Sequence, residues 1–124
     1  MANPNIVNVA SIYGNTSYLV PTTTTATTWT ALTPAAGTVN KIDNIVAANV
    51  TGTAATVTVS VNSAVSGGGT AYRLACQITV PANASLIVTD KTTAFYVGEA
   101  QSIVVTSGTT NAIEMVASYE ALTS

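Results

Sequence analysis

A chain of 124 residues fits one domain of ordinary size and not two. Only 6% of it is charged, with three basic residues (Lys41, Arg73, Lys91) against five acidic ones (Asp43, Asp90, Glu99, Glu114, Glu120), no histidine, and Cys76 as the one cysteine. That inventory excludes a Ser-His-Asp triad, a Cys-His dyad, a zinc finger and an internal disulfide, and three scattered cations at net charge −2 do not neutralise a run of phosphates.

The first residues, Met1-Ala2-Asn3-Pro4-Asn5, lack the basic patch and apolar stretch of a secretory signal, so export by that route is not expected. Residues 2–8 read as an extended arm. Apolar runs at 6–12 and 17–20 predict two strands, parted by a turn at Gly14-Asn15. After Pro21 comes a tract, residues 22–28, that is nearly all threonine. Branching at Cβ restricts χ1 and favours extended backbone, so the tract is expected to be ready to pair with a strand. Trp29, the only tryptophan, follows it; a core anchor is the first reading and an interface anchor the second.

Beyond the turn Pro34-Ala35-Ala36-Gly37 a strand is predicted over 39–50, closed by Thr51-Gly52-Thr53. Its longest apolar run, Ile45 to Ala48, stops at Asn49, and no stretch approaches the roughly 20 apolar residues of a spanning helix. A membrane partner is therefore not expected, despite 48% hydrophobic residues and a mean hydropathy of +0.44. Strict period two appears next, Val57, Val59 and Val61 alternating with Thr56, Thr58 and Ser60. Gly67-Gly68-Gly69 lacks the following Lys-Thr of a phosphate cradle and reads as a flexible hairpin end. The following strand places Tyr72, Leu74, Cys76, Ile78 and Val80 on a core face, with Arg73 pointing outward and Cys76 buried and inert.

Turns at Pro81-Ala82-Asn83, Asp90-Lys91 and Gly108-Thr109-Thr110-Asn111 bound further strands at 85–89, 94–97 and 102–106. In the last strand Ile113, Met115, Ala117 and Tyr119 face the core, with Glu114, Val116, Ser118 and Glu120 opposite. Eight or nine short strands with Gly/Pro punctuation, and no apolar spacing of helical period, predict an all-β, antiparallel, jelly-roll-like sandwich as one domain over 1–124.

Asp90 with Glu99 is the one carboxylate pair a short hairpin brings near each other, for acid/base work or calcium, and solvated loop charges are the favoured alternative. No G-x-S-x-G elbow or S-x-x-K motif activates a hydroxyl. The sequons at Asn15, Asn49 and Asn83 are expected by chance in a chain so rich in serine and threonine. No catalytic residue, metal or cofactor is expected.

From Ala71 onward the chain resembles a family of small virion structural proteins of tailed bacteriophages, of the kind common in viruses of marine bacteria and cyanobacteria. The resemblance is carried by Val80-Pro81-Ala82-Asn83-Ala84-Ser85-Leu86-Ile87-Val88, by Phe95-Tyr96-Val97-Gly98-Glu99-Ala100-Gln101-Ser102-Ile103, and by Ala117-Ser118-Tyr119-Glu120. Gln101 stands where related sequences often have an acidic residue. The resemblance implies a non-enzymatic protein of the virion, assembled in the bacterial host cytoplasm. The leading expectation is a capsid cement or decoration protein contacting the major capsid protein and itself, as a homo-oligomer for which a trimer at local threefold positions is one arrangement, with no nucleic acid as partner. The alternatives are a neck, tail or fibre-associated protein and a carbohydrate-binding module acting through Trp29 or a tyrosine patch. The expected interface comprises Asn3, Pro4, Asn5 and Ile6 of the arm, Thr23, Thr24 and Thr25 of the threonine tract, and Trp29.

Overall fold

The computed structural model describes residues 8–123. Among these residues nine strands form: β1 (Ser11–Leu19), β2 (Thr27–Thr28), β3 (Thr38–Asn49), β4 (Ala55–Asn62), β5 (Ala71–Val80), β6 (Ser85–Thr89), β7 (Phe95–Val97), β8 (Ser102–Ser107) and β9 (Ile113–Thr123). Three single 3₁₀ turns, Thr30–Leu32, Val65–Gly67 and Lys91–Thr93, are the helical segments among the described residues. Sheet one has the order β1-β9-β3-β6, with β7 also on β3, and sheet two the order β2-β8-β4-β5. Every pairing is antiparallel. The chain changes sheet at each connection except β4 to β5 and β6 to β7, which is the connectivity of a jelly roll.

Between the sheets lies one core, built from Trp29, Leu32, Ile42, Ile45, Val57, Val59, Ile103, Val105, Ile113 and Met115. Alternation supplies it directly in β4, β8 and β9: Val57 and Val59 share the inner face of β4, Val59 between Val105 of β8 and Ala75 of β5, and Ile113, Met115 and Ala117 point in from β9. In β3 the alternation breaks at a bulge between Ile42 and Asn44, so Ile42 and Ile45, three apart, both reach the core.

Bulges also overturn the expected face of β5. The register slips between Val57 and Val59 and again between Val59 and Ser60, so the β5 residues opposite the inward valines are Ile78, Ala75 and Tyr72. Gln77 absorbs the first bulge in the left-handed region, φ +48, and its N–H donates to Thr58 Oγ1 at 2.8 Å. Each extra residue moves the downstream side chains to the other face, so Ala75 is buried while Leu74 and Cys76 are exposed. Arg73 is exposed as expected.

Two expected turns are something else. β1 runs straight through Gly14-Asn15, pairing residue for residue with β9. The segment after β4, expected to be a flexible hairpin end, packs over the outer face of sheet two. Gly67 N–H donates to Ser102 Oγ at 3.0 Å, Ser102 Oγ–H to Ala64 O at 2.7 Å, and Asn62 Nδ2 to Gly67 O at 2.9 Å. Gly67 adopts φ +75, and a Cβ there would lie 2.7 Å from Thr28 Oγ1, so glycine is required for the close approach. Ser60, Asn62 and Ser102 are buried beneath this cover.

Candidate interaction surface

Of the residues expected at an interface, Asn3, Pro4, Asn5 and Ile6 lie outside the described residues. Thr23, Thr24 and Thr25 are exposed, but as a bend and not as extended strand. Thr23 and Thr25 join hydroxyls at 2.9 Å, and Thr27 Oγ1–H donates to Thr25 O at 3.3 Å. Short polar side chains that bond locally compete with strand pairing, which here survives only at Thr27–Thr28 against Val104 and Val105 of β8.

Trp29 is a correction to the interface set. Its ring is 1% exposed. Its backbone N–H donates to Ile103 O of sheet two at 2.8 Å, while its indole Nε1–H donates to Ser17 Oγ on β1 of sheet one at 3.0 Å. The residue is thus a staple between the sheets, and a partner has no access to its ring.

Asp90 and Glu99 are each committed to a separate turn. Asp90 caps the 3₁₀ turn Lys91–Thr93, accepting from Thr92 N–H at 3.0 Å and Thr92 Oγ1–H at 2.6 Å. Hydrogen bonds from the Thr92 side chain first, then the Thr92 backbone, hold its carboxyl below the ordinary 3.8. Glu99 Oε1 accepts from Gly37 N–H at 2.7 Å, closing the turn before β3. Among the described residues no group of three or more acidic, cysteine or histidine side chains is placed to hold a metal ion. Asn49 is 2% exposed, and its amide group bonds to Thr53 O, Val80 O and Thr51, so that sequon is an internal brace.

The outer face of sheet one carries a feature that the sequence reading left unassembled. Cross-strand pairing aligns Tyr18 of β1 with Val116 of β9, Val116 with Val46 of β3, and Val46 with Ile87 of β6. Four apolar side chains therefore form a row straight across four strands, with Tyr18 74% and Ile87 63% exposed at its ends. The signal was present as Val116 among outward-facing polar residues, but only register places the other three beside it. Next to the row, Lys41, Asp43, Asn44, Lys91, Ala94 and Glu120 line an open hollow of about 390 Å³. Its two cations and two anions balance, and Lys41 and Glu120 stand directly opposite each other on β3 and β9, so the hollow offers no net field to a charged ligand. On the inner side of β1 a second open hollow, about 270 Å³, is lined by residues that include Tyr13, Asn15, Pro34, Asn40 and Tyr119.

Neither a protein-family model nor a curated protein sequence matches this chain. In fold the chain is similar to a solved structure from Bacillus endospore appendages, described as a novel family of disulfide-linked pili, at 16% identity with a TM-score of 0.50. The similarity covers 92% of this chain and 90% of that one.

Proposed function

We propose that this chain is a non-enzymatic structural protein of a tailed-bacteriophage particle, a capsid cement or decoration protein that holds neighbouring major capsid subunits through the outer face of sheet one. The observation that carries the reading is the exposed apolar row Tyr18–Val116–Val46–Ile87. A contiguous strip of exposed apolar side chains across a sheet face marks a contact with another macromolecule. With 6% charged residues, adhesion must come mainly from apolar burial, shape and backbone pairing. Jelly rolls also recur among viral capsid domains, which agrees with the resemblance of the C-terminal half, although fold alone assigns no role.

The pilus-like fold supports the broader statement that such a sandwich serves as a building unit. Disulfide-linked polymerisation does not carry over, because a chain with Cys76 alone has one thiol and a covalent link would end at a pair. The carbohydrate-module alternative loses its tryptophan to the core.

The test is copy number and attachment on purified virions that contain the chain. Hundreds of copies per particle, retained in about 0.5 M NaCl where exposed charges are screened, are expected, with Ile87→Lys weakening attachment about tenfold or more. About a dozen copies or fewer would move the protein to the neck, tail or a fibre and overturn the cement role. Release by salt alone would overturn the apolar-contact reading.

A further inference from the structure

The four sheet edges are unequal. In sheet two, β2 is two residues long, and β5 is broken by two bulges, with Gln77 in the left-handed region and Arg73 exposed. The far edge of sheet one is split between β6 and β7, with the capped turn at Asp90 and Lys91 between them. These are the devices by which natural sheets block edge-to-edge pairing. β1 has none of them. Its nine residues pair with β9 in unbroken register, without proline, bulge or charge, and no charged residue precedes Lys41 in the whole sequence. Among the described residues no strand pairs with its outer edge.

We infer that β1 is a self-association edge, whose occupant is the β1 strand of a second copy, antiparallel about a twofold axis through Asn15. Two features favour this occupant: two identical uncharged edges meet without repulsion, and the strand carries both halves of an exposed apolar match, Tyr18 and Ile12, that only an antiparallel copy of itself brings together twice. Full overlap of nine residues places Tyr18 opposite Ile12 of the second copy. Those two are among the most exposed large apolar side chains, 74% and 59%. Ile12 lies beside Leu122 of β9, which is itself 5% exposed, so the pairing would set the exposed end of the apolar row, Tyr18, against one further exposed apolar side chain, Ile12. One pairing thus covers Tyr18 and Ile12 of both copies and adds backbone hydrogen bonds along an edge that no described strand occupies.

This inference does not depend on the virion assignment and is tested on the purified full chain. Sedimentation velocity across a concentration series is expected to show a reversible monomer–dimer equilibrium. Asn15→Lys, which sets two ammonium groups face to face on the axis, is expected to raise the dissociation constant about tenfold or more, and Ile87→Lys to leave it unchanged. Directly opposed residues have Cα atoms about 4.5–5.5 Å apart, within reach of a disulfide. Cys76→Ser/Asn15→Cys should therefore oxidise to a covalent dimer, while Cys76→Ser/Thr24→Cys, on the exposed threonine bend, stays monomeric under the same conditions. A monomer at every concentration, a trimer, or equal cross-linking from positions 15 and 24 would overturn the inference. Loss of the Ile87→Lys chain from virions with the dimer intact would concern the capsid contact alone.

Discussion

Replacing Ser17 by alanine removes the acceptor of a hydrogen bond that joins the two sheets, and the consequence follows from burial. The Trp29 ring is 1% exposed, and its Nε1–H has Ser17 Oγ, at 3.0 Å, as its partner. Stripped of that oxygen, the indole N–H is buried without an acceptor, at a cost of about 1–3 kcal/mol. Trp29→Ala would cost about 3–5 kcal/mol through the cavity it leaves, a large part of the ~5–15 kcal/mol that holds such a domain together. Trp29→Phe removes the donor and keeps most of the ring, so the double change with Ser17→Ala should cost about 1 kcal/mol less than the sum of the single ones. Because Trp29 is the only tryptophan, its own emission reports unfolding of the native chain and of Ser17→Ala in urea, with circular dichroism serving for the Trp29 variants. The Ser17→Ala midpoint should fall by about 1 M at unchanged slope. Native emission should resist a polar quencher. A Ser17→Ala chain within about 0.3 kcal/mol of the parent, or a Trp29 quenched as readily folded as unfolded, would refute the staple.

Asn49→Ala should destabilise by about 2–4 kcal/mol in the same urea titration, since Thr53 O, Val80 O and the Thr51 N–H each lose a partner in a half-closed site. Gly67→Ala should cost about 1–3 kcal/mol, through its left-handed φ and the 2.7 Å approach to Thr28 Oγ1, whereas Gly14→Ala, with nothing within 4 Å of the new Cβ, should lie within about 0.5 kcal/mol of the parent; thermal melts of the two variants provide the comparison. The Cys76 thiol should react with a colorimetric disulfide reagent at one equivalent per native chain, without denaturant, because the bulged β5 turns it outward.

Where strand pairing is regular, the residues announced it. Val57 and Val59 in β4, and Ile113, Met115 and Ala117 in β9, occupy the core positions that period two assigns to them, and Glu114 faces outward. Where a bulge intervenes, alternation assigns the wrong face, because one extra residue reverses every side chain after it and leaves no mark in composition. Leu74 and Cys76, between the two bulges of β5, are the instances. Gly14-Asn15 shows the reverse failure, a dipeptide of turn character held in a strand by nine consecutive pairings to β9. Trp29 carried the right alternative, a core anchor, but its partner Ser17 lies twelve residues away and no local pattern links them.

Composition and local propensity were enough for the all-β class, the outward charges and the scarcity of acid and base groups, but not for the division into strands: residues 11–19 form one strand where two were expected, and Thr27–Thr28 forms another. Tertiary structure alone decided which strands are neighbours. From that follow the row of Tyr18, Val116, Val46 and Ile87, drawn from four separated stretches of chain, and the difference between a guarded edge at β5 and one at β1 that no described strand covers. The reason is that sheet surfaces are read across the strands while sequence runs along them, so adjacency on the face is set by register and by bulges, both of which are fixed only when the two sheets close on their shared core.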